Sequence, residues 1–164
     1  MKLSKNFSLA ELTKSQTAIR MGMENNPSED EVENLRLLCE RVLQPIRDHF
    51  NHVVTISSGY RNELLSKKIG SSSTSQHCAG EAADFEIFGT PNNEVSDWIK
   101  ENLMFDQLIL EYWEPGQPHS GWVHVSYKED INLNRKEYLM AIKKPEGGTS
   151  YKPILGLSTD RYVK

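Results

Sequence analysis

Cysteine is nearly absent: Cys39 and Cys78 are the two in 164 residues. There is no C-x-x-C pair and no disulfide framework, which sets aside cysteine-built zinc modules and stapled secreted scaffolds, and makes the reducing cytoplasm the default compartment. Cys39 falls at helical spacing among apolar residues and reads as core. Cys78 directly follows His77, but adjacent side chains on an extended chain point to opposite faces, which counts against it as a ligand beside that histidine. Basic excess is also lacking. Nineteen Lys and Arg stand against 23 Asp and Glu, a formal charge of -4, so a nucleic-acid surface gets no support. No apolar run is long enough to span a membrane. The start, MKLSKNFSLAELTKSQTA, has basic residues without the apolar stretch of a signal peptide, so action outside the cell would need another route of export or release. Repeats and low-complexity tracts are missing too. What remains is a soluble composition, 37% hydrophobic and 26% charged, in a length that suits one domain.

Within that domain the local signals are clear. Ser8 with Glu11, and Ser28 with Glu31, are capping-box pairs that open helices. Behind the second, Val32, Leu35, Leu38, Cys39, Val42 and Ile46 recur at three- and four-residue intervals and form one face of a long amphipathic helix. Pro45 falls inside it and should kink or break it. HVVTISS reads as a buried strand, GYRNELLSKKIG as a turn and short helix ended by Gly70, and EAADFEIF as a second strand. NNEVSDWIKENL is an amphipathic helix. FDQLILEYW and GWVHVSY are strands joined by the hairpin-like EPGQPHS, and KEYLMAIKK adds a last strand. Early helices and late hairpin-linked strands predict a single α+β domain, a mostly antiparallel sheet with an N-terminal helical layer. The domain is expected over 1–144, and the polar, glycine-containing chain over 145–164 reads as a mobile C-terminal extension.

Three residues carry the chemistry. His77 ends the small-residue loop SSSTSQHCAG, Asp84 sits on the strand after it, and His124 lies mid-strand in WVHVSY. Strand alternation puts Trp122, His124 and Ser126 on one face and Val123, Val125 and Tyr127 on the other, so a polar floor backs onto a core. Two imidazole nitrogens and a carboxylate oxygen suit zinc and leave a fourth position open. Equally, the three are a surface-loop histidine, a strand-end aspartate and a half-buried histidine, and spacing does not separate the two readings.

The wording of the motifs does. SGYR, then SQHCAGEAADF, then WVHVSY resembles the M15-type zinc D-Ala-D-Ala carboxypeptidases and peptidoglycan endopeptidases. The shared pattern is Ser-x-His, six residues, Asp, then a distant strand His, here Ser75, His77, Asp84 and His124. FSLAEL and LRLLCERVLQPIRD resemble the compact, largely phage- and prophage-associated branch, and the likeness runs from about Phe7 to Tyr127. It implies one Zn2+ on His77, Asp84 and His124 and hydrolysis of peptide bonds in bacterial peptidoglycan peptides, by an enzyme acting on the wall after release or as a virion component. Hydrolysis also needs a carboxylate to move protons. Many relatives carry it three residues before the last histidine, where this chain has Gly121. Glu111, on the strand expected to pair with WVHVSY, is the substitute; otherwise it is an edge-strand glutamate in solvent. Glu114 and His119 sit in the neighbouring turn as lesser candidates. Arg61 is expected to bind a substrate carboxylate, with Ser75 assisting; their bland roles are a surface salt bridge and a loop serine. Trp98, Trp113, Trp122 and Tyr127 read as packing. The alternative function is a catalytically inactive, zinc-holding binding module of the same fold, which Gly121 keeps open. Oligomeric state leaves no signal.

Overall fold

Serine side chains start the helices of the first third. In the computed structural model, which describes residues 1–155, Ser8 accepts from the Glu11 amide to cap α1 (Leu9–Thr13), and Ser15 does the same for α2 (Gln16–Arg20). Ser28 and Glu31 make a reciprocal capping box at α3 (Glu29–Leu38), satisfying two amides that the first turn leaves orphaned. The long amphipathic pattern runs on past α3 through a π turn, Cys39–Leu43, into α4 (Gln44–Phe50). Pro45 explains the widened turn: it has no N–H to give back, and its ring crowds the carbonyl of Arg41 one turn earlier. The break expected at Pro45 thus takes the form of a π turn, and both halves bury the same stripe. Leu35, Leu38, Cys39, Val42, Leu43 and Ile46 are fully buried.

Six strands follow, interrupted by α5 (Glu63–Lys68) and α6 (Asn92–Asn102). They are β1 (Thr55–Ser58), β2 (Ala82–Glu86), β3 (Gln107–Glu111), β4 (Trp122–Ser126), β5 (Glu137–Lys143) and β6 (Thr149–Pro153), in the spatial order β1-β2-β4-β3-β5-β6. Every pairing is antiparallel except β3 with β5. This is the expected α+β domain with a mostly antiparallel sheet. Among the described residues no helix is long and apolar enough to cross a membrane.

Alternation divides the sheet into two faces. Ala83, Phe85, Leu108, Leu110, Val123 and Val125 join the buried stripe of the N-terminal helices, together with Val95 and Ile99 of α6, in one core. Burying each of the larger side chains contributes about 1.5–3 kcal/mol, so this face fixes the register of the strands. Register in turn decides what the opposite face presents: Asp84, His124, Ile109 and Glu111.

One expectation differs from the structure. The chain from Pro145 was expected to be a mobile extension, yet residues 149–153 form the outermost strand. The chain reverses at Gly147 and Gly148, both at positive φ (96° and 81°), and β6 pairs with β5 from Leu139↔Pro153 to Lys143↔Thr149. The glycines that resemble a tail in sequence are the turn of a hairpin, where a φ of that sign is needed. Residues 156–164 of the expected extension lie outside the described residues.

Candidate metal centre

Asp84 and His124 are direct cross-strand partners on β2 and β4, so the core packing of Ala83, Phe85, Val123 and Val125 delivers both to the open face. His77 arrives from a 3-10 turn, Gln76–Ala79, capped by Ser75, whose Oγ accepts from the His77 amide at 3.3 Å. Gly80 ends the turn at φ 73°, and a Cβ there would stand 2.5 Å from the Glu31 carbonyl oxygen. Only glycine lets this loop lie so close to α3. The Asn34 side chain donates to the Ala79 carbonyl at 2.9 Å, and the Arg61 amide to the His77 carbonyl at 3.2 Å. The loop is further tied by Gln76, which donates to the fully buried Asp106 carboxylate at 2.9 Å; Arg135 grips the same carboxylate through its backbone amide and guanidinium.

These supports bring His77, Asp84 and His124 together. His77 Nε2 stands 3.5 Å from Asp84 Oδ2, and His124 Nδ1 2.9 Å from Asp84 Oδ1. One donor atom from each residue lies within 4.8 Å of the others. His77 Nδ1–H donates to the Gly59 carbonyl at 2.7 Å, which fixes the tautomer and turns the Nε2 lone pair toward Asp84. All three residues are buried, at 3%, 9% and 8% exposure. Burial pushes the His77 imidazole pKa down, outweighing the pull of Asp84, and so favours the neutral, ligating form. Burial works against charge on Asp84, but the two imidazoles outweigh it and hold the carboxyl far below the ordinary carboxylate range. A neutral nitrogen, an ionised oxygen and a second nitrogen converging in a buried spot fit a divalent metal ion, with room for a fourth ligand.

The triad lies on the floor of a cleft of about 770 Å3. Glu111 lines it one pleat along from Ile109, the cross-strand partner of His124. Its strand is flanked by β4 and β5, so Glu111 is not the solvated edge-strand residue that was its bland reading. Burial, reinforced by the nearby charge of Asp84, lifts its pKa from 4.5 to about 7, against the opposing pull of His124 and Arg61. A carboxylate poised there can take up and return a proton near neutral pH. Arg61 follows β1 and lines the cleft, and its buried Nε has no hydrogen-bond partner among the described residues. Ser75 lines it too, with its hydroxyl proton uncommitted to the cap it accepts.

Gly121, at the position where an acid was expected, sits at φ 66°, and a Cβ on it would come within 1.8 Å of the Glu111 carbonyl oxygen. No side chain fits. Glu114 and His119 are exposed in the β3–β4 connection and do not line the cleft. Cys78 points its sulfur toward the Ser72 carbonyl at 3.9 Å and stays out of the triad. Trp98 stacks on His49 at 4.2 Å, and Trp113 donates to the Pro118 carbonyl; both are packing residues. Trp122 is not simply packing: it lines the cleft, and its buried Nε1 has no partner among the described residues. The alternation of β4 already placed it on the face of His124. Tyr112 and Tyr151 also line the cleft and left no such mark in the sequence.

A search among curated proteins finds no match. The Peptidase M15 family model matches residues 5–126, a span that includes all three residues of the triad. That family is in general zinc-dependent, as this donor set would suit, and the chain belongs to it: it is an M15 peptidase.

Proposed function

We propose that the chain hydrolyses peptide bonds in bacterial peptidoglycan, in stem peptides or their cross-links, as a DD-carboxypeptidase or an endopeptidase of the phage-lysin kind. One observation carries the catalytic reading: a buried His–Asp–His cluster and a glutamate with a pKa near 7 share one cleft. His77 Nε2, Asp84 and His124 would hold a single zinc ion. When bound, that ion supplies Lewis-acid polarisation of the scissile carbonyl and makes a water acidic enough to attack at neutral pH. Glu111 is the base that takes the water's proton and passes it to the leaving amine. Arg61 offers its Nε–H, unpaired among the described residues, to a substrate carboxylate, a charge-assisted bond of the stronger kind, and Ser75 donates its hydroxyl proton beside it. The metal-site unit is proposed to be residues 1–144, with residues 145–164 as an appended segment in which β6 extends the sheet.

A second reading, a zinc-holding module without catalysis, draws on Gly121 and the missing acid there. Digestion of purified peptidoglycan and soluble stem peptides, read by mass spectrometry with and without a chelator, separates the two. Cleavage lost on chelation and regained with zinc is expected. Bound zinc without any cleavage would replace the hydrolase with the binding module.

A further inference from the structure

Register places one row of side chains across four strands. Trp122 on β4 partners Glu111 on β3, Glu111 partners Ala141 on β5, and Ala141 partners Tyr151 on β6. Adjacent strands are about 4.8 Å apart, so the backbones of Glu111 and Tyr151 stand about 10 Å from each other with only the methyl group of Ala141 between. Glu111 is therefore flanked by an aromatic residue on either side, and all three line the cleft. Tyr112, the next residue, adopts a left-handed φ of 54°, a conformation that costs a side-chain-bearing residue about 1–2 kcal/mol. It brings the Tyr112 ring against Trp122, with centroids 5.4 Å apart, while the Tyr112 hydroxyl hydrogen-bonds to Thr149 of β6. The hairpin thus holds Tyr112 in place as well as supplying Tyr151.

Two features of this wall ask for a ligand. The Trp122 Nε1–H is buried without a partner among the described residues, a state that costs about 1–3 kcal/mol unless an acceptor fills it. Tyr151 keeps 54% of its surface exposed although it lines the cleft. The strand order adds a direction. Arg61, which follows β1, stands at one end and β6 at the other, with the metal cluster and Glu111 between. A peptide whose carboxylate meets Arg61 would run across the strands toward Tyr151. A second carboxylate near Glu111 would be repelled, whereas an uncharged residue suits the rings, and its backbone carbonyl suits Trp122.

We infer that the β5–β6 hairpin, which lies beyond the family-matched residues 5–126, completes a substrate subsite walled by Trp122, Tyr112 and Tyr151. It takes an uncharged residue of the peptide substrate and receives that residue's backbone carbonyl on Trp122 Nε1–H. This assignment rests on the peptide-hydrolase reading. The test uses the zinc-loaded protein and the soluble stem pentapeptide ending in D-Ala-D-Ala, with Tyr151→Ala, Trp122→Phe and Tyr151→Phe compared with the unmodified chain. The expected result is a KM raised about tenfold, the equivalent of about 1.4 kcal/mol, for Tyr151→Ala and Trp122→Phe. Their kcat should stay within about twofold of the unmodified value, because the lost contacts serve binding in ground state and transition state alike. Tyr151→Phe, which restores the ring, should recover most of the loss. Melting curves confirm that the variants fold. If the peptide is cleaved and KM does not move in either variant, the subsite is wrong while the hydrolase stands. If the peptide is not cleaved, calorimetric binding to the same zinc-loaded proteins decides: binding weakened in the variants keeps the subsite and removes the carboxypeptidase reading, and no binding by the unmodified chain removes the subsite, while digestion of purified peptidoglycan decides the hydrolase separately.

Discussion

Replacing Glu111 with glutamine isolates the cost of holding a carboxylate in the cleft, and the cost can be worked out. The group titrates near 7 in the folded chain against an ordinary 4.5. At about 1.4 kcal/mol per tenfold change in proton affinity, the ionised form is disfavoured by up to about 3 kcal/mol. Solvent access to a partly buried group reduces this to about 1–2 kcal/mol. The sign follows from proton counting. Below pH 4.5 the carboxyl is protonated in both folded and unfolded chains and the penalty is absent. Between 4.5 and about 7 the unfolded chain has released the proton and the folded chain retains it, so stability falls as pH rises; above 7 the loss is complete. Glu111→Gln should therefore stabilise the chelated protein by about 1–2 kcal/mol at pH 8 and by nothing at pH 4, measured by urea unfolding. The same substitution should lower hydrolysis by at least about a hundredfold, the usual contribution of a general base. Equal stability of the two proteins at pH 8 would refute the burial argument, and undiminished turnover would refute the role.

Asp84→Ala should cost at least tenfold in zinc affinity and lower stability by a smaller factor, since the variant also loses the carboxylate's contacts to His77 and His124 but leaves the core untouched; a variant that keeps stoichiometric zinc places the site elsewhere. Zinc occupancy of the unmodified protein should fall as the pH drops below about 6, because protons compete with the metal for its ligands, and occupancy unchanged at about pH 4.5 would contradict the two-histidine ligand set. Gly121→Ala should destabilise the chain by about 2–4 kcal/mol, a left-handed alanine added to an overlap that the backbone must relieve. A loss below about 1 kcal/mol in urea unfolding would show that the β3–β4 end has slack.

The parts of the fold that were legible in the sequence are those written in local chemistry. Ser28 with Glu31 announces a helix start because the side chains satisfy amides three residues away. The valines around His124 announce a buried face because a strand has period two. The convergence of His77, Asp84 and His124 was legible through the family resemblance of the motifs read together; alternation added only that His124 lies on the polar face of its strand. Partners at long range were not legible. Nothing in KEYLMAIKK says that it runs parallel to β3, and nothing in TSYKP says that it returns to β5, because period two fixes a face and leaves the neighbour open. Trp122 was misjudged for a related reason. Alternation gives the side of the sheet on which a residue lies, but whether that side is packed or open depends on segments as distant as β6.

Gly121 and Glu111 are one structural choice, not a loss and an unrelated gain. The glycine's missing side chain lets β4 begin against the carbonyl oxygen of Glu111, and that close approach sets the end of β3 from which the carboxylate projects. A glutamate placed at 121 would not restore an acid to this cleft. Its Cβ would need the space that the Glu111 backbone occupies, and β3 would have to move, carrying Glu111 with it. The acid proposed for this chain, Glu111, is presented from the neighbouring strand, one pleat along from the partner of His124. Burial, reinforced by the charge of Asp84, then raises its pKa to the range in which a proton can be both taken and returned. On the proposed assignment, an M15 peptidase without an acid at the position of Gly121 presents its general base from the neighbouring strand, which β4 and β5 flank on both sides.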